Sequence, residues 1–575
     1  MDATTSPLGH APLEQRKVTG AHYTPEPLAR FVANKIVEAI SNIRPDAPLA
    51  ALDPACGDGQ LIDELIQVLH ARGSRRLSIV GFDTDKAAIE AATRRLRHAF
   101  PDVALDIRLG DFLEFATSSR PGDMFAPHAP QKFDLVIANP PYVRTQLIES
   151  SNVTAMAKRF GLTGRFDLYY PFLLATAEVL RPGGVAGVIC SNRFMTTKAG
   201  QSLRRQLLER FDIMHIWDLG DTRLFEAAVL PAVLLLRGRG DLPSKHPTLF
   251  TSIYSSTPSD AATEFPDTIE AISAHGPVRV GNSNFFNVRH GRLAYDDGPS
   301  SAWRIADEVS EPWLAKVGAH TFATFAAIGK VRVGVKTTAD RVFISNRWDE
   351  MPPEERPELL RPLITHHVAR KYKALQLDKS YSLLYPHHTV QGTRSPVDLS
   401  LYPRSAIYLE KHRQTLEARD YLTQSGRKWF EVWVPQDPDA WQYPKLVFRD
   451  ISLEPTCWLD LSGAVVNGDC YWLSVPGEDS PLVWLALAVA NSPFITNFYD
   501  HRFHNLLYAK RRRFMTQYVE AFPLPNPASR TGTRIISLSR QLFGAPVSAD
   551  NSALQAEVDG LVGEAFGLGV EEVTR

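Results

Sequence analysis

The chain is poor in cysteine and carries almost no net charge. Only four cysteines occur among 575 residues, and none of them shows the paired spacing of a zinc site. We therefore expect neither a disulfide framework nor a cysteine-bound metal. The 63 basic and 64 acidic residues leave a net charge of −1, which argues against a surface coated with phosphate-binding charge. A local basic groove is compatible with this balance.

Long apolar runs are also missing. The sequence has no stretch of about eighteen apolar residues that would span a membrane, and its N-terminus lacks the apolar core of a secretory signal. We therefore predict a cytoplasmic protein with reduced thiols and no membrane contact. Hydrophobic residues make up 44% and charged residues 22%, the balance of a globular protein. A chain of this length is expected to form two or three domains.

Short apolar segments alternate with amphipathic segments from Leu49 to about residue 240. The apolar segments have the length of buried strands, and the segments between them have the spacing of helices. Strands that alternate with helices indicate an α/β fold, with a doubly wound, mostly parallel sheet. In such a sheet, ligands bind at the carboxyl ends of the strands, near the point where the strand order reverses.

A glycine-containing turn follows the first predicted strand. Its sequence, DPACGDG, places Gly57 and Gly59 where the backbone has to turn tightly and approach a ligand closely. A nicotinamide cofactor usually requires a third glycine, and Ile62 occupies that position here. The acidic Asp58 also disfavours a phosphate ligand. The turn therefore suits a cofactor without phosphates, such as S-adenosylmethionine.

The next two predicted strands also end in acidic residues. Asp83 ends the second strand, where a carboxylate accepts hydrogen bonds from ribose hydroxyls. Asp111 and Phe112 follow the third strand and offer an acceptor and an aromatic wall for an adenine. Upstream, Thr24 and Pro25 have the residue types of a helix N-cap and first turn.

The fourth predicted strand runs into two consecutive prolines within the tetrapeptide NPPY, residues 139–142. An exocyclic amine is a poor nucleophile because its lone pair is conjugated into the ring. Its methylation therefore needs acceptors for the amine hydrogens. The side-chain carbonyl of Asn139 and the backbone carbonyl of Pro140 are such acceptors, and the prolines hold them rigidly. The ring of Tyr142 provides a surface on which a base can stack.

The order of these motifs resembles the gamma-class DNA adenine-N6 methyltransferases of restriction–modification systems, typified by the TaqI methyltransferase. That family carries a TP motif, DPACGxG, an acidic cofactor motif and NPPY, followed by a target-recognition domain, and this chain has all of them in that order. The resemblance implies a Rossmann-like class I methyltransferase fold. The implied contacts with S-adenosylmethionine are Tyr23, Thr24, Asp53, Ala55, Gly57, Asp83, Asp111, Phe112 and Asn139.

The resemblance further implies that Asn139, Pro140 and Tyr142 hold a flipped adenine. Flipping is expected because the amine is out of reach inside a duplex. Phe225 stands where the family has a second aromatic against the base, although an ordinary core phenylalanine is the alternative. One departure concerns Gln60 and Leu61, which replace an aromatic that the family often has after the glycine turn.

The predicted domains are a catalytic domain over residues 1–245, a linker and start of the recognition region over 246–320, and a DNA target-recognition domain over 321–575. The last of these resembles the α+β recognition half of the family and ends in a helical tail. Its predicted DNA-binding residues are Lys330, Arg332, Lys336, Arg511, Arg512 and Arg513. A solvated basic loop is the alternative interpretation for the last three.

The expected activity is site-specific methylation of adenine N6 in double-stranded DNA, without a metal. The expected partner system includes a separately encoded restriction endonuclease. Three alternatives stay open at this point: methylation of an RNA base, methylation of cytosine N4, and a non-catalytic DNA-recognition subunit of a defence complex. Cytosine enzymes usually have serine in place of Asn139, and a pure recognition subunit does not need the acceptors of the tetrapeptide.

Overall fold

The structure, a computed structural model, divides the chain into two compact units, Met1–Glu308 and Val309–Arg575. The described residues are 24–40, 47–117, 131–143, 150–225, 229–240, 246–295, 298, 300–390, 393–419, 421–422, 425–475, 480–503, 507, 511–546 and 548–574.

The first unit is built on a 12-stranded sheet whose main path runs β3-β2-β1-β4-β5-β7-β6-β8-β11-β10-β9, with β12 paired to β11. The strands are β1 Leu49–Asp53, β2 Leu77–Asp83, β3 Ala104–Leu109, β4 Phe133–Ala138, β5 Leu180–Ser191, β6 Phe211–Asp218, β7 Pro231–Gly238, β8 Leu249–Ser255, β9 Thr263–Phe265, β10 Gly276–Val280, β11 Asn284–Ala294 and β12 Arg304–Ala306.

Strands β1 to β5 pair in parallel, and β7 is inserted antiparallel between β5 and β6. The helices of this unit are α1 Glu26–Ala39, α2 Gln60–Ala71, α3 Lys86–Ala99, α4 Phe112–Thr117, α5 Ser150–Phe160, α6 Tyr169–Val179, α7 Gln201–Arg210 and α8 Thr268–Ala271. Buried apolar side chains form one cluster on α1, α2 and the strands, and a second cluster on α6, α7 and the strands. The doubly wound α/β fold is confirmed.

The strand order reverses between β1 and β4, because β2 and β3 lie on one side of β1 while β4 and β5 lie on the other. Buried apolar residues make β4 a central strand, with only Asp134 partly exposed. The carboxyl ends of β1, β2 and β4 are therefore neighbours at one edge of the sheet. This is the position at which open α/β sheets bind ligands.

Most of the segment predicted as a linker and start of the recognition region, 246–320, instead continues the sheet of the first unit, through β12. Strand β8 pairs in parallel with β6, and β11 pairs antiparallel with β8. The boundary between the units accordingly falls after residue 308, not at 245. The segment has a polar, turn-rich sequence because β9 and β11 keep many half-buried or exposed positions.

The second unit combines small sheets with helices. Its strands are β13 Ala323–Thr324, β14 Val331–Val333, β15 Ile344–Ser345, β16 Leu360–Ile364, β17 Tyr381–Leu384, β18 His387–Val390, β19 Thr393–Pro396, β20 Lys445–Arg449, β21 Ile451–Ser452, β22 Cys457–Asp460, β23 Val465–Val466, β24 Cys470–Ser474, β25 Arg512–Arg513 and β26 Pro523–Leu524. Two 4-stranded sheets run β14-β24-β20-β22 and β15-β17-β16-β23. This α+β composition agrees with the predicted fold class.

The helices of the second unit are α9 Ser310–Ala319, α10 Asp340–Phe343, α11 Pro403–Lys411, α12 Arg413–Glu417, α13 Pro481–Ala490, α14 Pro493–Phe503, α15 Thr516–Val519, α16 Arg530–Gly544, α17 Ser552–Ala565 and α18 Val570–Thr574. Within the described ranges, no single helix is long and apolar enough to cross a membrane. Helices α13 and α14 satisfy the length and composition requirements only as a pair bent by 78°. The four cysteines of the chain are buried and unpaired.

Candidate functional site

The glycine turn after β1 is tied to the end of β2. The N–H of Gly57 donates to Asp83 Oδ2 at 2.9 Å, and the N–H of Cys56 donates to the carbonyl of Phe82 at 2.8 Å. Gly57 has a φ of +51°, and a Cβ added to it would meet no atom within 4 Å. The turn therefore presents open space beside bare backbone, as a closely bound ligand requires.

Gly59 has a different role in the same turn. It has a φ of +86°, and a Cβ there would approach Leu96 at 3.2 Å and Ala92 at 3.3 Å, so this glycine allows α3 to pack. At the departure from the family pattern, Gln60 accepts from Arg95 at 2.6 Å and Leu61 is buried. A polar contact and an aliphatic side chain thus replace the aromatic residue.

Asp53, the last residue of β1, is fully buried. Its Oδ1 accepts from the N–H of Ala55 at 3.0 Å, whereas Oδ2 has no hydrogen-bond partner among the described residues. Burial, with a smaller contribution from the nearby carboxylate of Asp83, raises the pKa of Asp53 to about 8. A buried carboxyl with an unused oxygen, beside open space at Gly57, fits a ligand that brings a donor or a positive charge.

The acidic residues after β2 and β3 both contact backbone. Asp83 accepts from Gly57 through Oδ2 and from the N–H of Asp85 through Oδ1 at 2.9 Å. Asp111 is exposed, and its Oδ1 accepts from the N–H of Leu113 at 2.8 Å at the start of α4. These contacts hold both carboxylates at the sheet edge. Their predicted contacts with a cofactor stay predictions.

Phe112 is 1% exposed. Its ring lies 6.2 Å from that of Phe82 and 5.7 Å from that of Phe172. The ring therefore packs in the core, and its predicted role as an adenine wall stays a prediction.

Asn139 follows β4 directly and is held at both ends of its side-chain amide. Nδ2 donates to Thr24 Oγ1 at 3.0 Å, and Oδ1 accepts from the Tyr142 hydroxyl at 2.7 Å. Pro140 is buried, and no donor among the described residues reaches its carbonyl. Two acceptors predicted from the sequence, one on a side chain and one on the backbone, thus stand at the end of the strand.

The prediction that Thr24 caps α1 is wrong. Pro25 occupies the N-cap position, and the helix end receives no hydrogen bond from a side chain at that position. The Thr24 hydroxyl instead contacts Asn139, which lies 115 residues further along the chain. Tyr23, predicted beside it as a cofactor contact, lies outside the described residues.

The two predicted base-stacking rings pack against different clusters. Tyr142 is half-buried against the cluster on α6 and α7, and its ring makes an edge contact with Tyr169 at 5.9 Å. Burial raises the pKa of Tyr142 well above its usual value, so its hydroxyl remains a donor. Phe225 is 7% exposed and belongs to the cluster on α1 and α2. Its stacking role stays a prediction.

A buried polar network that was not predicted lies at the ends of β5 and β6. Asn192 Nδ2 donates to Asp218 Oδ1 at 2.9 Å, and the Tyr254 hydroxyl donates to Asp218 Oδ2 at 2.7 Å. Burial raises the pKa of Asp218 to about 6. The network holds the start of the segment that leads to Phe225. A polar residue at the carboxyl end of each apolar strand was the signal for it in the sequence.

In the second unit, the predicted basic residues of the first loop have different surroundings. Lys330 is exposed. The guanidinium of Arg332 lies 5.3 Å from the ring of Trp472 and donates weakly to Ser474 at 3.4 Å. Lys336 is half-buried, and its backbone pairs with that of Val434. Lys330 is the most accessible of the three to a phosphate.

Two of the three consecutive arginines are engaged in ion pairs. Arg512 binds Asp500 with two nitrogens, and Arg513 binds Asp450 with Nε at 3.0 Å and Nη2 at 3.1 Å. These pairs neutralise both charges within the fold. Arg511 alone of the triplet is exposed. The predicted DNA contacts of the three arginines stay predictions.

A cavity of about 380 Å³ lies elsewhere in the first unit, against the second half of α1. Its wall includes Lys35, His215 and Trp217, and the rings of His215 and Trp217 stack at 3.8 Å. None of the predicted site residues lines this cavity. Among the described residues, no group of three or more His, Cys, Asp or Glu side chains is arranged to hold a metal ion.

The comparisons with known proteins agree on one family. Residues 75–225 match the model of the Eco57I restriction-modification methylase family. The chain is 35% identical over 572 residues to the type II methyltransferase M.BanIII of Aneurinibacillus aneurinilyticus, covering 97% of this chain and 98% of that protein. It is 25% identical over 574 residues to the type II methyltransferase M.PaeR7I of Pseudomonas aeruginosa, with 95% and 92% covered.

Two solved structures share the fold at low sequence identity. The DrdV–DNA complex has a TM-score of 0.51 at 12% identity, covering 92% of this chain and 57% of that one. The ATP-dependent restriction-modification enzyme LlaBIII bound to DNA also has a TM-score of 0.51, at 10% identity, with 92% and 40% covered. The full-length match to M.BanIII decides the assignment: this chain belongs to the family of type II restriction–modification DNA methyltransferases.

Proposed function

We propose that the protein transfers the methyl group of S-adenosylmethionine to N6 of a flipped adenine in double-stranded DNA, as a gamma-class, TaqI-like enzyme. The observation that carries this proposal is the placement of Asn139. Its amide stands at the carboxyl end of β4, fixed by Thr24 and Tyr142, next to the strand end that holds Asp53.

The chemistry assigned to the tetrapeptide is stabilisation of an amine as it attacks. Asn139 Oδ1 and the Pro140 carbonyl accept the two amine hydrogens, which lets the nitrogen lone pair leave conjugation with the ring. Both acceptors are held before the substrate arrives, one by hydrogen bonds and one by proline geometry, so little reorganisation opposes the reaction. Tyr142 supplies the stacking surface for the extrahelical base.

The residues at the sheet edge fit S-adenosylmethionine. Gly57 leaves open backbone, and Asp53 has an unused buried oxygen that suits a cationic ligand. We assign Thr24, Ala55, Asp83, Asp111 and Phe112 to the same cofactor. When bound, the cofactor supplies an electrophilic methyl group on a sulfonium.

DNA recognition is assigned to the second unit. Lys330 and Arg511 are the exposed cations among the predicted contacts, and positive side chains of this kind bind phosphates without reading sequence. DrdV and LlaBIII are bound to DNA in their structures, and this chain shares their fold. We infer double-stranded DNA as the substrate and a separately encoded restriction endonuclease as the partner activity.

The test is methyl transfer to DNA in vitro, with the product nucleosides separated by mass. The wild-type protein is expected to form N6-methyladenine. Asn139→Ala is expected to lower transfer by at least about 100-fold, the effect of removing one preorganised charge-stabilising group, while S-adenosylmethionine binding persists. N4-methylcytosine as the product, transfer to RNA only, or an active Asn139→Ala variant would contradict the proposal.

A further inference from the structure

Both ends of the connection between β6 and β7 are tied to neighbouring backbone. The N–H of Leu219, directly after β6, donates to the carbonyl of Pro231, the first residue of β7, at 2.9 Å. The N–H of Asn192, directly after β5, donates to the carbonyl of Leu230 at 2.9 Å. Phe225 lies between these two contacts, so the groups that fix the ends of the connection also limit where its ring can be.

Asp218, the last residue of β6, is buried at the base of this connection. Its Oδ1 accepts from Asn192 Nδ2 at 2.9 Å and from the N–H of Gly220 at 3.2 Å, and its Oδ2 accepts from the Tyr254 hydroxyl at 2.7 Å. With a pKa of about 6, this carboxyl is mostly ionised at pH 7, and an ionised carboxylate only accepts. One side chain therefore joins the end of β5, strand β8 and the connection itself.

The backbone that follows is closely fitted to β8. Gly220 has a φ of +50°, and a Cβ there would lie 2.3 Å from the carbonyl of Ile253 and 2.8 Å from the ring of Tyr254. Asp221 is buried, and its Oδ1 accepts from the N–H of Ser255 at 2.8 Å. The connection is therefore held on β8 by a close backbone approach and by a second buried acidic side chain.

The conformation of Arg223 is imposed by the surrounding structure. This residue has a φ of +55°, in the left-handed region that residues other than glycine rarely adopt. Such a conformation persists only where the surrounding contacts determine it. Arg223 lies two residues before Phe225, so the constraint extends almost to the ring that the family resemblance places against the base.

Fold stability alone does not account for Asp218. Burying a carboxylate without a cationic partner costs free energy, and none of its three donors is charged. Apolar side chains would pack at the end of a strand without this cost. Buried carboxyls with a raised pKa are concentrated at functional sites.

We propose that Asp218 and Asp221 are positioning residues, which hold the connection between β6 and β7 so that Phe225 stacks on the face of the flipped adenine that Tyr142 leaves free. The inference rests on the proposed function and on the stacking role that the resemblance implies for Phe225. Because the connection is fixed before DNA binds, little loss of conformational freedom opposes the stacking.

The first test compares Asp221→Ala with Asp221→Asn, because asparagine keeps a side-chain oxygen for the N–H of Ser255 and alanine does not. We expect Asp221→Ala to lower kcat by about tenfold, as for a lost hydrogen bond, and Asp221→Asn to stay within about threefold of the wild type. Circular dichroism checks that both variants fold. Equal effects in the two variants, or no effect in either, would contradict the positioning role.

Thr251→Val is the matched control for a buried hydrogen bond lost on β8. The Thr251 hydroxyl is hydrogen-bonded to His215 Nε2 at 2.9 Å and to His290 Nδ1 at 3.0 Å, and not to the connection. We expect kcat of this variant to stay within about twofold of the wild type, as for an independent site. A loss as large as that of Asp221→Ala would show that general destabilisation explains both, and the inference would be wrong.

The second test measures the coupling between the network and the ring. Asn192→Ala removes a side-chain donor to Asp218 and keeps the backbone contact with Leu230. We expect this variant to lower kcat by about tenfold in the wild-type background. In a Phe225→Ala background the effect should shrink to within about twofold, since residues that act through one another give non-additive changes. The same effect in both backgrounds would overturn the inference.

The third readout is the Kd for S-adenosylmethionine, measured by calorimetry without DNA. Asp221→Ala and Asn192→Ala should each change this Kd by less than about threefold, well below the effect of a lost hydrogen bond. A larger loss of affinity would show that the network supports the cofactor pocket instead. Wild-type kcat in Phe225→Ala would overturn only this inference, whereas an active Asn139→Ala would overturn the proposed function.

Discussion

Asp53 is the residue whose protonation state is tied most closely to the proposed cofactor. Its pKa is raised from 3.8 to about 8, so the folded protein without ligand keeps this carboxyl neutral at pH 7. Because the unfolded chain gives up the proton at lower pH, this group lowers the stability of the fold as pH rises from 3.8 to about 8. A cation placed beside Asp53 lowers the pKa of this carboxyl and favours its ionised form.

We expect S-adenosylmethionine binding at pH 7 to release about one proton from Asp53. Calorimetry in phosphate and in Tris measures this directly, because the two buffers differ in ionisation enthalpy. The Asn variant of the same size, Asp53→Asn, should release none. Identical binding enthalpies in both buffers for the wild-type protein would contradict the predicted proton release from Asp53.

The ring and the hydroxyl of Tyr142 have separable roles. Tyr142→Phe keeps the stacking surface and removes the hydroxyl that occupies Asn139 Oδ1. Tyr142→Ala removes both. The fluorescence of a 2-aminopurine at the target position measures the fraction of the base that is extrahelical. We expect Tyr142→Phe to keep the flipped state and Tyr142→Ala to lower its population by about tenfold or more, since stacking contributes about 1–3 kcal/mol per base. Equal losses in both variants would argue against stacking.

At the scale of elements, the short strand β25 shows why composition alone misjudges a basic segment. Arg512 and Arg513 are paired with acids that lie 12 and 63 residues away in the sequence, so local composition could not reveal the pairing. The alternative, a solvated loop, is wrong for these two residues, because both are part of a strand that pairs with β21. Their predicted contact with DNA stays a prediction.

We predict opposite phenotypes for neighbouring arginines in this element. Arg511→Ala should weaken DNA binding and reduce the slope of log Kd against log salt concentration by about one. The melting temperature should stay unchanged. Arg513→Ala leaves Asp450 without its bidentate partner and should lower the free energy of unfolding by about 1–3 kcal/mol. Filter binding over a salt series and thermal unfolding distinguish them. A stable Arg513→Ala variant with normal DNA affinity would contradict the structural assignment.

Other elements show what the sequence pattern predicts well. The alternation of apolar and amphipathic segments predicted the strands β1 to β5 and, between them, the helices α2, α3 and α6, because buried strands require apolar runs. The helices α4 and α5 were not predicted. The antiparallel insertion of β7 and the extension of the sheet through β8 to β12 were not predicted, since partners along a sheet are not encoded in the period of one strand. The polar sequence of these strands was therefore interpreted as a linker.

At the scale of the whole molecule, the sequence predicted where the strand-end motifs lie better than it predicted the boundary between the two units. Motifs at strand ends placed Asn139, Asp53 and Asp83 at one sheet edge, which the fold bears out because parallel strands bring their carboxyl ends together. The contact between Thr24 and Asn139 spans 115 residues and could only be seen in three dimensions. The division into units at residue 308 likewise depends on sheet pairing.

The central claim is adenine-N6 methylation at one DNA sequence, and genome-wide sequencing that detects modified bases tests it most directly. The protein is expressed in a bacterial host that lacks its own methyltransferases, beside an Asn139→Ala control. We expect N6-methyladenine at nearly every copy of one short motif, and none in the control strain. Unmodified adenine in a host that contains folded protein able to bind S-adenosylmethionine, or modified cytosine instead, would contradict the account.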